Sequence, residues 1–141
     1  MYLIDTNVIS ELRKERAGRA DARVVKWARR VGVGQMFVAA HTLFELELGV
    51  LLLQRRDPVQ AAVLRGWLQQ SVLNAFEGRI LPASGEVALR CAALHVARTR
   101  PERDAWIAAT ALVHGMTVVT RNVEDFQLTG VAVLNPWDYL G

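Results

Sequence analysis

Five short apolar runs, separated by stretches of helical spacing, limit this chain to few architectures. The runs are Tyr2-Leu3-Ile4, Met36-Phe37-Val38-Ala39, Arg79-Ile80-Leu81, Thr117-Val118-Val119 and Val131-Ala132-Val133-Leu134. Each suits a buried strand and is too short for a helix. Between them, helical spacing covers Val8 to Arg13, and Asp21 to Arg30 through Val24, Val25 and Ala28. A strongly apolar helix is expected from Thr42 to about Arg56, closed by Asp57-Pro58. Pro58 suits the first turn of the next helix, whose stripe runs Val59, Ala62/Val63, Trp67 and Val72/Leu73. Ser84 to Arg98 and Asp104 to Val113 complete the set, with Gly115 as a left-handed C-cap. Strands alternating with helices predict an α/β sandwich with a mostly parallel central sheet.

At 141 residues, with no linker, repeat or low-complexity tract, the chain is expected to form one domain, 1–141. A domain of this length buries roughly two-thirds of its unfolded surface, so it needs no metal or disulfide staple. The single cysteine, Cys91, excludes an internal disulfide, fits a reducing compartment and reads as an inert buried thiol. Asp5 interrupts the apolar start, which argues against a signal peptide, and runs such as Leu48–Leu53 are too short to span a bilayer. The expectation is a cytoplasmic protein with no membrane partner.

The charge is informative in kind more than in amount. The net value is +3, but of seventeen basic residues only Lys14 and Lys26 are lysine. Arginine offers a planar fork that matches phosphate oxygens. Two dense stretches stand out, Arg13-Lys14-Glu15-Arg16 with Arg19 and Arg23 beyond, and Arg98-Thr99-Arg100-Pro101-Glu102-Arg103. Either they face a polyanion or they are solvated helix faces.

In a parallel sheet, ligands bind at the carboxyl ends of the strands. Asp5 follows the first strand and Asn122 follows the strand ending near Thr120. Glu45 lies one turn into an otherwise apolar helix, and Asp104 opens another. Carboxylates gathered in one cleft repel each other unless a cation is present. Hard oxygen ligands suit Mg²⁺ or Mn²⁺, which polarise phosphoryl oxygens and activate water. Each acid also has a plain structural use. Asp5 could N-cap the next helix, Thr42-x-x-Glu45 matches a capping box, and Asp104 could face a helix dipole. Spacing alone leaves cap and cleft open.

The residues around these acids resemble the PIN-domain family. Tyr-Leu-Ile-Asp5-Thr6-Asn7 is similar to its opening motif, and Phe44-Glu45-Leu46-Glu-Leu-Gly49 to its second. Asp104-Ala-Trp-Ile-Ala-Ala-Thr110 is similar to its third, and Thr120-Arg121-Asn122-Val-Glu-Asp125-Phe126 to its fourth. The tail Val133-Leu-Asn135-Pro136-Trp137 resembles that of the VapC- and FitB-type toxins of type II toxin–antitoxin pairs. The resemblance implies a three-layer α/β/α sandwich and a toxin endoribonuclease using Mg²⁺ or Mn²⁺. It also implies a homodimer, a cognate antitoxin protein, an RNA substrate, and operator DNA reached only through the antitoxin. Asp5, Glu45 and Asp104 would be the catalytic, metal-binding acids, with Asp5 and Asp104 as direct ligands and Glu45 positioning metal or water. Thr6, Asn7 and Thr120 would hydrogen-bond within the site, and Arg121 would reach substrate phosphate. One departure is Asn122, which stands where many relatives carry a fourth acid. Asp125 could replace that charge if its segment is helical, or be an exposed loop charge.

Trp67 and Trp106 read as core or dimer contacts, and His41, His95 and His114 lack metal-ligand spacing. A haloacid-dehalogenase-like phosphatase needs a second Asp where Asn7 stands, so that class is discounted. A structure-specific DNA nuclease would need insertions to grip a duplex junction. The alternative that survives is a catalytically weak module of the same fold, acting in an antitoxin-bound, DNA-associated repressor complex.

Overall fold

The computed structural model describes residues 1–141, the side chain of Ala97 excepted. Five parallel strands form the sheet: β1 (Tyr2–Ile4), β2 (Met36–Ala39), β3 (Ile80–Leu81), β4 (Thr117–Val119) and β5 (Val133–Leu134). Their order is β3-β2-β1-β4-β5, and every pair is parallel. The helices are α1 (Thr6–Arg13), α2 (Ala22–Val31), α3 (Ala40–Gln54), α4 (Pro58–Trp67), α5 (Leu73–Ala75), α6 (Gly85–Ala97) and α7 (Glu102–His114). The parallel sheet of the sequence reading is therefore present.

Strand side chains alternate between faces, so each strand feeds two cores. Ile4, Val38, Val119 and Leu134 join Val8, Val24, Trp27, Leu46, Val50 and Leu68 on one side. Leu3, Ala39, Val118 and Val133 join Val87, Cys91, Leu94, Ile107, Ala108 and Phe126 on the other. Helices thus cover both faces, as all-parallel sheets require. Trp67 packs partly buried against the first core and Trp106 against the second.

Several boundaries differ from those expected. α1 begins at Thr6 because Asp5 caps it, its Oδ1 accepting the Thr6 N–H at 2.7 Å. α3 begins at Ala40, directly off β2, two residues before the expected start at Thr42. After α4 the chain passes through a π-helical stretch, Leu68–Val72. Its wider turn shifts the phase of the buried stripe. The stripe runs through Ala61, Leu68, Val72 and Phe76, and Val59 and Val63 are exposed. β5 is shorter than the expected run from Val131. Thr129 Oγ1 donates to Phe126 O and accepts from Val131 N–H, holding a turn there, with Gly130 at φ 83°.

This order places the functional end. The chain lays β2 and β3 on one side of β1, then returns to lay β4 and β5 on the other. The direction of winding reverses between β1 and β4, and the crevice at the carboxyl ends of that strand pair is where doubly wound sheets bind ligands.

Candidate active site

Ile4 pairs with Val119, so the residues that follow, Asp5 and Thr120, leave adjacent strand ends together. The Asp5 N–H donates to Val119 O at 3.0 Å, continuing the ladder by one residue. Asp5 is fully buried, and each carboxylate oxygen has partners. Oδ1 accepts from Thr6 N–H, and Oδ2 accepts the Thr120 hydroxyl at 2.8 Å. Thr120 in turn accepts from Asn7 Nδ2 at 3.2 Å and from the Asn122 N–H at 3.1 Å. The Asn7 side-chain oxygen accepts the Arg121 N–H at 3.2 Å. Thr6, Asn7 and Thr120 thus form the hydrogen-bonded frame around Asp5.

Glu45 enters from α3. Its Oε1 accepts the Thr6 hydroxyl at 3.2 Å, and its other oxygen meets Arg103. This corrects the capping-box alternative. Thr42 lies inside α3 rather than before it, and its buried hydroxyl has no hydrogen-bond partner among the described residues. Asp104 lies in the first turn of α7, with its side chain only 5% exposed. Burial pushes its carboxyl up from the ordinary value against the opposing charge of Arg103, and the negative charges of Asp125 and Asp5 push the same way as burial. Asp125 sits in a one-turn 3₁₀ helix, Val123–Phe126, exposed to solvent yet close enough for its charge to act on Asp104. Asn122 is exposed and contributes its backbone N–H to the Thr120 hydroxyl.

The residue that ties the acids together is Arg103, which sequence reasoning had counted only within a basic stretch. Its Nη2 donates to Asp5 Oδ1, its Nε to Glu45 Oε2 and its Nη1 to Asp104 Oδ1, each at 2.5 Å. Burial works against its charge, but Asp5, Glu45 and Asp104 outweigh it and hold the guanidinium pKa above the ordinary value. Its placement is understood only once the start of α7 is known. A cation beside a buried acid in the first turn of a helix opposes the helix dipole and needs a compensating cluster of acids.

Within that stretch Arg100 also turns inward, being buried and donating to Gln127 O at 3.2 Å, whereas Arg98 is exposed. Arg121 is exposed at the rim, with its guanidinium 5.1 Å from the Trp137 ring centroid. Trp137 is held by the tail, where Asn135 Oδ1 accepts its N–H at 3.0 Å. Cys91 is buried, and burial raises its thiol pKa, as an inert core thiol requires.

Three carboxylates from three elements around one positive charge are a hard-oxygen donor set suited to Mg²⁺ or Mn²⁺. As they stand around Arg103, no group of three or more acidic, histidine or cysteine side chains among the described residues is arranged to hold a metal ion. The position that a cation would take between the acids belongs to the guanidinium.

The family model described as PIN domain matches residues 2–130. The chain belongs to the PIN-domain family. Full-length relatives agree. Toxin FitB of Neisseria gonorrhoeae is 41% identical, over 97% of this chain and 99% of that protein. VapC ribonuclease Y4jK of Sinorhizobium fredii is 34% identical, over 98% and 99% respectively. Among solved structures, FitAB bound to an IR36 DNA fragment contains a chain of TM-score 0.85 and 38% identity, with 97% of this chain and 96% of that chain covered. The similarity extends past residue 130, so it includes the tail that holds Trp137.

Proposed function

We propose that this PIN domain is the toxin of a toxin–antitoxin pair, an endoribonuclease that hydrolyses RNA phosphodiester bonds with Mg²⁺ or Mn²⁺ at Asp5, Glu45 and Asp104. The observation that carries the reading is the convergence of these three acids at the β1–β4 crevice. Full-length similarity to proteins named toxin FitB and VapC ribonuclease supports the substrate class.

The roles follow from burial and bonding. Asp5 and Asp104 are nearly sealed from water and suit direct contact with a cation. Glu45, with its side chain 24% exposed, reaches solvent and is placed to orient a water and take its proton. What Mg²⁺ or Mn²⁺ supplies when bound is polarisation of the phosphoryl oxygen and a lower pKa for a water. Thr120 and Asn7 fix the Asp5 carboxylate, and Thr6 fixes Glu45. Arg121 at the rim, steadied on Trp137, is placed to meet substrate phosphate. Asp125 adds negative charge beside Asp104.

The partners proposed are RNA and a cognate antitoxin, with operator DNA reached through the antitoxin. The FitAB structure, which includes DNA, supports such an assembly. No helix among the described residues is long and apolar enough to cross a membrane. One observation favours a second reading, the weakly catalytic repressor module. Arg103 already neutralises part of the acidic cluster.

Incubating the antitoxin-free chain with structured RNA separates the two readings. The expected result is cleavage with Mg²⁺ or Mn²⁺, none in EDTA, and a loss of about 10²-fold or more in Asp5→Asn and Asp104→Asn. Cleavage that survives EDTA, or variants as active as wild type, would overturn the reading of metal-dependent hydrolysis at these acids.

A further inference from the structure

Arg103 is the group in the cleft that the proposed hydrolysis does not use, yet it makes the strongest contacts there. Its Nε, Nη1 and Nη2 each reach a different acid at 2.5 Å, and those acids come from the end of β1, from α3 and from α7. The planar fork of a guanidinium allows one cation to satisfy three carboxylates at once, which a point charge on a single amine cannot do.

Position gives a second, independent observation. Arg103 is the second residue of α7, where free backbone N–H groups and the positive end of the helix dipole repel a cation. Only the acids compensate for that placement. Its charge persists at any working pH, because an arginine does not deprotonate in proteins. The side chain can therefore clear the acids only by rotating away. It is 28% exposed, so a route to solvent is open.

A divalent cation in contact with the same oxygens would stand a few ångströms from this guanidinium, and like charges at that range repel strongly. We propose that Arg103 is an internal counter-ion that holds Asp5, Glu45 and Asp104 together until a divalent cation arrives, and must swing out for the cation to enter, so that Arg103 sets the cation affinity of the site. The proposal rests on the reading that these acids bind Mg²⁺ or Mn²⁺. It assigns Arg103 a competing role in place of a ligating one. The arrangement also accounts for why the acids form no metal-holding group while the guanidinium is in place.

The test is Mn²⁺ binding to the full purified chain by titration calorimetry, with melting temperature followed in EDTA and in Mn²⁺. If the swung-out form makes up about 1–10% of the wild-type population, Arg103→Gln binds Mn²⁺ about 10–100-fold more tightly. Arg103→Gln also melts lower than wild type in EDTA, because its acids have lost their counter-ion. Mn²⁺ raises its melting temperature by more than it raises that of wild type. Arg103→Lys, which keeps the charge without the fork, falls between the two and guards against a glutamine variant that folds poorly. Equal or weaker Mn²⁺ binding by both variants than by wild type would overturn the counter-ion role and leave the metal site intact. No Mn²⁺ binding by any of the three would overturn the metal reading along with it.

Discussion

Thr120 is the residue on which the geometry of Asp5 depends. Its one buried hydroxyl donates to Asp5 and accepts from Asn7 and Asn122, joining the ends of β1 and β4. Thr120→Val keeps the shape and leaves Asp5 Oδ2 and the Asn7 amide short of a partner. The expected cost is about 1–3 kcal/mol in urea unfolding, with a fall in RNA cleavage, and Thr120→Ser should recover most of both. Full stability in the valine variant would show that Asp5 is held by other contacts. At this scale the sequence was legible for the acids and their hydroxyl and amide neighbours, because motif order placed them. Arg103 was not legible. Nothing in a run of arginines says which one turns inward, and that depends on acids 58 and 98 residues away in the chain. Asn122 and Asp125 were half legible. The 3₁₀ turn that brings Asp125 near Asp104 is a local backbone choice without a periodic signal.

Among the elements, the central strands were read to the residue, since β1, β2 and β4 are apolar runs with sharp polar ends. The errors gathered where local chemistry overrides pattern. Asp5 extends α1 backwards, β2 runs into α3 without a loop, and the π-helical stretch after α4 rephases its stripe. A further device is the clamp between α1 and α2. Glu11 accepts Lys14 Nζ at 3.0 Å and the Asp21 N–H at 2.8 Å, tying the last turn of α1 to the cap of α2. The Lys14 bond first, and then the backbone donor, hold the Glu11 carboxyl below its ordinary value. A carboxyl lowered on folding stabilises fully above its unfolded pKa of about 4.3, and that contribution fades as pH falls through the folded value. Unfolding followed between pH 7 and pH 3 should therefore show a shallower acid loss for Glu11→Gln than for wild type. Identical slopes would mean that the clamp contributes nothing.

At the scale of the whole molecule, the unusual surface is apolar. Phe44, Leu48, Leu51 and Leu52 on α3 and Val59 and Val63 on α4 are all exposed, away from both cores. Apolar exposure gathered on two neighbouring helices is typical of an interface. A homodimer through α3 and α4 is the expected state, and sizing at micromolar concentration should find it, with Leu48→Lys/Leu52→Lys shifting the chain to monomer. A wild-type monomer would remove the need for this face to pair with its own copy. The two-sided layering and the strand ends that matter were readable from strand–helix alternation, but the strand order that makes those ends neighbours was not. Register and crossover depend on contacts far apart in sequence. The claim that joins every scale is that the acids at that crevice direct water at an RNA phosphate with the help of a divalent cation. Mapping the ends of RNA cut by wild type in Mn²⁺ tests it most directly. Attack by water with the 3′-oxygen as leaving group, which takes up a proton, leaves 5′-phosphate and 3′-hydroxyl ends, and these should disappear in EDTA and in Asp5→Asn. Products ending in 2′,3′-cyclic phosphate would contradict it, because the nucleophile would then be the RNA's own 2′-hydroxyl.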